Sequence, residues 1–332
     1  MEPGSDGWLD QVSEDVIDPD QPIIDPHHHL WPPGGSLPYG IDELHGDTDD
    51  GHNVTSTVFV ECHAAYDRDA SEAFRPVGET RFVADAAAAA SHRAGAAQIR
   101  GIVGHADLTS PELDAVLDAH TDAGRGLFRG IRHAIARDDE PDALRIPGRA
   151  RAGLSTEPAF RAGLNRLGER GLTFDSWHYH HQNAEFAELA AAAPDTTIVL
   201  DHFGTPIGVG RFAGRGDDVF DDWRRQVDLV AAQPNVVVKL GGLAMPDNGF
   251  GWDHRDRPAS SDEIVAAHGR YYHHAIEVFG PQRCMLESNF PVDRFSVSYR
   301  VLWNALKKLV ADFDHEDQQR MFVGTATEVY SL

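Results

Sequence analysis

Cysteine is scarce in this sequence of 332 residues, which contains only Cys62 and Cys284. Two cysteines so far apart in sequence form neither a disulfide framework nor a cysteine-based zinc site, so we expect a reducing compartment, the cytoplasm. Long apolar runs are also lacking: none reaches the roughly 18 residues of a membrane span. The acidic amino terminus lacks the basic and apolar regions of a signal peptide. We therefore predict a soluble protein without a membrane partner.

Positive charge is in deficit as well. Lys and Arg number 29 against 53 Asp and Glu, which gives a formal net charge of −24. Nucleic acid and anionic membrane surfaces repel such a chain, and this argues against both as partners. The acidity is explained equally by simple solubility and by a salt-adapted host.

The chain has ample apolar content, 41%, for a sizeable core. It is long enough for two average domains, but α/β barrels of this length commonly form one. Residues 1–22 are polar and acidic, with Trp8 and Leu9 as their only apolar anchor. We predict an N-terminal arm over residues 1–22 and one barrel domain over residues 23–332.

Strand-like and helix-like segments alternate along the domain. Eight candidate strands, rich in β-branched and apolar residues, lie within 23–31, 55–62, 99–106, 127–133, 172–178, 197–204, 235–241 and 283–290. Candidate helices cover 81–97, 111–123, 158–170, 183–193, 221–233, 264–279, 297–312 and 316–323. This alternation predicts a (β/α)8 TIM barrel. An open doubly wound sheet is the alternative, but no Gly-rich phosphate-binding loop follows the first strand.

The first strand carries the most informative motif, in the stretch from residue 23 to residue 31. Side chains alternate across a strand, so Asp25, His27 and His29 are predicted to share one face and His28 to point away. Two imidazoles two residues apart can bind one metal ion; a merely solvated histidine run is the alternative. Polar residues also end most other strands, where a barrel gathers them at one mouth.

These motifs resemble those of the amidohydrolase-related TIM-barrel hydrolases, and most nearly the sugar-lactone and pyrone-dicarboxylate lactonases. The resemblance runs from residue 23 to the end of the chain. It is carried by Asp25-Pro-His-His-His29, Arg129-Gly-Ile-Arg132-His133, Leu200-Asp201-His202-Phe-Gly204, Val-Val-Lys239-Leu-Gly-Gly, Glu287-Ser-Asn289-Phe-Pro-Val-Asp293 and Gly324-Thr-Ala. It implies hydrolysis at a carbonyl, with the first-strand His pair, a sixth-strand His and an eighth-strand acid at the site.

One departure from the family pattern matters. The acid that relatives carry on the eighth strand falls at Asn289, and an amide cannot accept a proton at neutral pH. Glu287, two residues earlier, shares the inward face and can replace it as base or ligand. The alternative is a buried ion pair between Glu287 and Arg132 or Lys239. Asp293, in the following loop, can also reach in.

A divalent metal, with zinc the favoured ion, is expected on His27 and His29, with His178 or His202 as third ligand. The resemblance also implies a metal-free alternative, in which the His pair and arginines hold an anionic substrate. We favour His202 as the catalytic base, with Glu287 holding its charge, because imidazole titrates near neutral pH.

Substrate contacts are predicted from Arg132, whose fork-shaped guanidinium suits a carboxylate or a polarised carbonyl, and from the loop 245–261. Trp252, His254 and Arg255 in that loop suit a planar or anionic substrate. A structural ion pair is the alternative for Arg132, and solvent-side stacking for the loop.

The predicted function is therefore hydrolytic opening of a lactone ring, with His202, Glu287 and Asn289 as catalytic residues. The expected partner is a small molecule of anionic or cyclic character, and a homo-oligomer is compatible with the sequence. Two alternatives stay open: a metal-dependent decarboxylase of the same superfamily, against which Asn289 counts, and a catalytically silent binding barrel.

Overall fold

Eight parallel strands form a (β/α)8 barrel in the computed structural model, which describes all 332 residues. The strands pair in chain order, β1 to β8. They are β1 (Pro22–His28), β2 (Asn53–Val60), β3 (Gln98–Gly104), β4 (Phe128–Arg132), β5 (Thr173–Ser176), β6 (Ile198–Leu200), β7 (Val236–Leu240) and β8 (Cys284–Leu286). A parallel bridge between His28 and Phe290 joins the first strand to the segment after the last. The barrel predicted from the alternation of segments is thus confirmed.

Helices surround the strands. They are α1 (Asp6–Leu9), α2 (Ile41–Thr48), α3 (Val77–Ala90), α4 (Leu113–Gly124), α5 (Pro158–Glu169), α6 (Asn183–Ala191), α7 (Gly216–Ala231), α8 (Ser261–Phe279), α9 (Tyr299–Leu309), α10 (His315–Gln319) and α11 (Thr325–Tyr330). None of these helices has both the length and the apolar character needed to cross a membrane.

The strands are buried on both faces because their apolar side chains alternate between two cores. One core of 65 residues lies largely between strands and helices. A smaller core of nine residues, Ile24, Val58, Val60, Val103, Val199, Val237, Met285, Ala326 and Tyr330, lies mostly on the opposite strand faces. Tyr330 donates a hydrogen bond of 2.6 Å to Asp175 Oδ2 from below the polar layer. The interior of the barrel is therefore apolar at one end and charged at the other end.

The segment between β1 and β2 contains α2, whose first turn is fixed by a hydrogen bond of 2.8 Å from Gly40 N to Glu43 Oε2. One local difference from the sequence predictions concerns β1. Asp25 was predicted to share a face with His27, and this is wrong. Its carboxylate accepts hydrogen bonds from Ser288 Oγ at 2.6 Å and Tyr299 OH at 3.0 Å, because a register shift after Asp25 breaks the alternation.

The first 22 residues lie against the barrel. Trp8 and Leu9 in α1 are buried, and Trp8 Nε1 donates to the carbonyl oxygen of Arg255 at 3.2 Å. Further along, Lys307 Nζ donates to the carbonyl oxygens of Ile17 and Asp18 at 2.8 and 2.7 Å. These contacts fix the segment to the loop 245–261 at one end and to α9 at the other.

Candidate active site

A carboxylate from the eighth strand connects two imidazoles at the polar end of the barrel. Glu287 Oε1 lies 2.7 Å from His202 Nδ1, and its Oε2 lies 2.8 Å from His27 Nδ1. All three side chains are almost completely buried. Burial alone would raise the pKa of Glu287, but the positive charge that His202 and His27 can carry, together with their hydrogen bonds, lowers it to about 2. Glu287 is therefore an ionised acceptor that orients both rings.

Two glycines after β7 make room for this arrangement. A Cβ on Gly241 would overlap the Glu287 side chain, and one on Gly242 would overlap the His202 ring. Gly242 also has a φ of +73°, a left-handed conformation that side chains disfavour. The Gly-Gly pair is thus required for the close approach of His202 and Glu287.

Two permanent cations lie below and beside the imidazoles. Lys239 Nζ contacts Asp175 Oδ2 at 2.7 Å and Asp201 Oδ1 at 3.1 Å. Arg132 contacts Glu61 Oε1 at 2.8 Å through Nε and Asp201 Oδ2 at 3.4 Å through Nη1. Burial opposes ionisation of Asp201, but Lys239 and Arg132 lower its pKa below its ordinary value. The ion pairs considered for Glu287 in the sequence instead belong to these other carboxylates.

The polar layer faces a cavity of about 430 Å³. Of the predicted site residues, His29, Arg132, His202 and Asn289 line it, whereas His27 and Glu287 lie behind them. Further walls come from Trp31, Trp177, Arg145, Met245 and Phe295. The cavity therefore combines an imidazole and guanidinium floor with aromatic walls.

The rings of His27, His29 and His202 all have Nδ1 engaged by an acceptor. For His29 this acceptor is the carbonyl oxygen of Val60, at 2.8 Å. The ring centroids of His27 and His29 are 4.9 Å apart, and those of His27 and His202 are 4.5 Å apart. Since Nδ1 carries the proton in each ring, Nε2 carries the free electron pair.

These imidazoles have the chemistry of a first-row metal site. A histidine ligand usually donates its second ring nitrogen to a carboxylate or a carbonyl, as all three do here. His27, Asp201 and His202 also offer ligand atoms within 4.8 Å of one another. The charge of the cluster also suits a divalent cation, because its carboxylates outnumber its permanent cations by two. The four carboxylates are those of Glu61, Asp175, Asp201 and Glu287, and the two cations are Arg132 and Lys239. Arg132 Nη1, 3.4 Å from His27 Nε2, would compete with an ion for that nitrogen.

Asn289 occupies the cavity wall with a φ of +55°. Its Nδ2 donates to Asp293 Oδ1 at 2.9 Å, and its backbone N–H donates to the carbonyl oxygen of His27 at 3.0 Å. Burial raises the pKa of Asp293 to about 7. Asp293, the carboxylate of the loop after β8, therefore pairs with the Asn289 amide rather than with the imidazoles.

His178 lies apart from the other imidazoles. Its Nδ1 is 3.0 Å from Ser176 Oγ, its Nε2 is 2.9 Å from Asn183 Oδ1, and its ring packs on Phe186 at 4.5 Å between centroids. Strand β5 ends at Ser176, so the chain has already turned towards α6 where His178 occurs. The structure thus contradicts the expectation that His178 completes a metal site with His27 and His29.

The predicted substrate loop also differs. Trp252, His254 and Arg255 do not line the cavity. Arg255 Nη2 contacts Glu263 Oε1 at 2.6 Å and its guanidinium lies over the Trp252 ring, while the His254 side chain is 84% exposed. The ion pair and the α1 contact hold Arg255 and its neighbours against the barrel, so of this loop only Met245 reaches the cavity wall.

Arg145 and Trp177 take the place of that loop at the cavity wall, and the sequence analysis missed both. Arg145 follows β4 in a long segment rich in Arg and Pro, and its guanidinium carbon lies 3.8 Å from the Phe295 ring centroid. The density of arginines between residues 145 and 151 is the one signal that would have indicated a second anion-binding group.

Comparisons with known proteins agree with this architecture. The amidohydrolase family matches residues 24–332. The chain is 30% identical over 325 residues to the uncharacterized protein y4mH of Sinorhizobium fredii, covering 93% of this chain and 98% of that one. It is 27% identical over 239 residues to an L-fucono-1,5-lactonase of Burkholderia multivorans, covering 71% and 73%.

A solved structure shows the same fold. A Burkholderia multivorans amidohydrolase crystallised with bound zinc superposes with a TM-score of 0.71 at 23% identity, over 94% of this chain and 100% of that one. Together with the eight-stranded barrel and the cluster of His27, His202 and Glu287 at its polar end, these matches show that the chain belongs to the amidohydrolase family.

Proposed function

We propose that this protein hydrolyses a lactone, with His202 as the general base. The observation that carries the proposal is the buried contact of 2.7 Å between Glu287 Oε1 and His202 Nδ1 at the floor of a cavity. A carboxylate that holds one ring nitrogen fixes the tautomer and directs the other nitrogen's electron pair to the substrate. The distant lactonase relative supports the choice of a cyclic ester.

In the proposed reaction, His202 Nε2 takes a proton from water as the water oxygen attacks the ring carbonyl. Glu287 stabilises the resulting imidazolium through Nδ1. When the tetrahedral intermediate collapses, the ring C–O bond breaks and His202 returns the proton to the departing alkoxide oxygen. The product is a hydroxy acid, and Glu287 stays ionised throughout.

Arg132 is the group that stabilises the developing oxyanion. Its guanidinium lines the cavity and is held by Glu61, through Oε1 at 2.8 Å and through its carbonyl oxygen. A donor fixed before the reaction needs no reorganisation as charge develops. Arg145, which also lines the cavity, is suited to a carboxylate or hydroxyl group of the substrate. Asn289, a neutral amide at the wall, orients the attacking water by hydrogen bonding.

A divalent ion, zinc by preference, would be held by His27 and His29. When bound, it would polarise the substrate carbonyl. His202 cannot both hold an ion through Nε2 and accept a proton there, so we assign it to proton transfer. Metal analysis of wild-type protein and of His27→Ala tests this part alone: the variant should lose the ion.

A panel of lactones tests the proposal directly. Ring opening of L-fucono-1,5-lactone, other aldonolactones, muconolactones and pyrone carboxylates releases a proton at neutral pH, which an indicator dye detects. We expect turnover of at least one class, lowered by about a hundredfold or more in His202→Asn. Unchanged turnover in this variant would remove His202 from the chemistry. Carbon dioxide release from an aromatic acid, without lactone opening, would favour the decarboxylase instead.

A further inference from the structure

A second group of ligand-type side chains lies beside the active site, at the ends of β2 and β3. One carboxylate oxygen of Glu61 and one ring nitrogen each of His63 and His105 lie within 4.8 Å of one another. None of these three residues has a part in the proton transfer described above. Glu61 and His63 line the same cavity as His202.

We propose that Glu61, His63 and His105 form a binding site for a first-row divalent cation at the rim of the active-site cavity. Two imidazoles and a carboxylate are a ligand set that zinc and its neighbours accept, with the remaining positions open to water or substrate. This site is separate from the one that His27 and His29 would form.

The first support comes from the geometry of Glu61 and His63. Glu61 Oε2 is buried and accepts no hydrogen bond, although His63 Nε2 lies only 3.2 Å from it. Two ligands of one tetrahedral ion with bonds of about 2.0–2.1 Å lie roughly 3.3 Å apart. This spacing suits two ligands of a common ion, and the Glu61 oxygen is buried with no hydrogen bond that would compete with the ion.

The second support comes from what holds each ligand. His105 Nδ1 donates to the carbonyl oxygen of Arg132 at 2.9 Å, so its Nε2 has the free electron pair, as in metal-binding histidines. Glu61 is oriented by Arg132 through its other oxygen. Each of these two ligands is thus held in place by a contact on its other side, which leaves one ligand atom available to an ion.

The third support concerns access. The His63 side chain is 60% exposed and has a φ of +60°, a conformation uncommon for a non-glycine residue. It therefore holds its ring at the cavity rim, where an ion can enter from solvent.

Tyr66 lies against the proposed site. Its ring packs on the His63 ring with 5.1 Å between centroids, and its hydroxyl oxygen is buried without a hydrogen-bond partner.

Metal titration of the full-length chain tests the site. Protein freed of metal by a chelator is titrated with Zn²⁺ by calorimetry and with Co²⁺ by visible absorption. His63→Gln and His105→Gln should each lose one equivalent of metal or bind it with a Kd raised by about a hundredfold or more, since even the loss of an outer partner costs 10–100-fold. His63→Gln should leave the fold intact, because the side chain is mostly exposed.

Two further variants separate this site from other histidines. His254→Gln, at a side chain that is 84% exposed, should titrate like the wild type. His27→Ala should retain the equivalent that His63→Gln loses. Wild-type protein that binds no metal, or identical stoichiometry and Kd in wild type, His63→Gln and His105→Gln, would overturn the proposal.

Discussion

Glu287 Oε1 lies 2.7 Å from His202 Nδ1, and this contact joins the end of β8 to the end of β6, past the intervening β7. The second oxygen of Glu287 lies 2.8 Å from His27 Nδ1 on β1. A single carboxylate thus orients two imidazoles that are far apart in sequence. It does so at a position two residues before Asn289, where the family resemblance leads one to expect the acid.

Replacing Glu287 with Gln should lower kcat by about a hundredfold or more, the usual scale for loss of support to an acid-base group. The amide has the same shape, but it cannot stabilise an imidazolium at His202. Lactone opening measured across pH provides the readout. Glu188→Gln, at an exposed position on α6, is the matched control and should have wild-type kcat. Equal kcat in the two variants would contradict the assigned role of Glu287.

Gly242→Ala tests the space that the contact requires. A Cβ there would overlap the His202 ring, and the backbone has a φ of +73°. Gly214→Ala is a close control, because Gly214 has a φ of +72° and a Cβ there would have no neighbour within 4 Å. Both variants should lose about 1 kcal/mol of unfolding free energy for the left-handed backbone. Only Gly242→Ala should lose more than this, along with most of its activity.

Urea unfolding and lactone assays of the two variants separate these effects. Equal loss of activity in Gly214→Ala and Gly242→Ala would mean that the strain of alanine in a left-handed backbone explains the loss. The close approach of Gly242 to His202 would then have no catalytic importance.

Much of this architecture could be predicted from local patterns. The apolar runs before Asp201 and Glu287 predicted buried strands, and alternation along β8 correctly placed Glu287 inside the barrel. What alternation could not provide was the partner of each charged group. Lys239 pairs with Asp175 and Asp201. These pairings depend on the register between β5, β6 and β7, which the sequence of a single strand does not determine.

The failures have identifiable physical causes. Asp25 points away from His27 because a register shift breaks the period of two in β1. His178 leaves the site because β5 ends at Ser176, and strand ends are the least certain part of a sequence-based assignment. Arg145 reaches the cavity from a loop after β4, whose path depends on tertiary contacts such as its packing on Phe295.

Buried neutral histidines should make the fold sensitive to acid, and His268 offers the cleanest case. Burial alone lowers its pKa to about 3, against 6.5 for the ordinary group. The folded state therefore binds this proton less readily than the unfolded state. The stability from His268 is fully present above pH 6.5 and is lost as pH falls towards 3, at about 1.4 kcal/mol per pH unit.

His268→Phe should remove this dependence. Its unfolding free energy, measured by urea titration at several pH values, should fall less steeply than that of wild type between pH 6.5 and 4. The exposed His254 has no comparable burial, so His254→Gln should follow the wild-type curve. Parallel curves for wild type and His268→Phe would show that His268 contributes no acid sensitivity.

Asn289 stands where the family resemblance leads one to expect an acid, and its amide donates a hydrogen bond to Asp293, so exchanging the two side chains tests this pairing. Asn289→Asp alone would remove the donor of the 2.9 Å hydrogen bond and place a second carboxylate against Asp293. We expect a loss of about 1–3 kcal/mol in unfolding free energy, the cost of leaving a buried polar group unpaired. Because burial already raises the pKa of Asp293 to about 7, the loss should be smaller at pH 6, where a proton can be shared, than at pH 8.5.

The double variant Asn289→Asp with Asp293→Asn restores one amide and one carboxylate in opposite order. It should recover most of the lost stability and place an acid on the cavity wall at position 289, where the family resemblance leads one to expect one. A double-mutant cycle of urea unfolding measures the coupling between the two positions. A coupling energy near zero would mean that the two side chains do not act as a pair. Asn289 would then be a substitution that the surrounding residues merely tolerate.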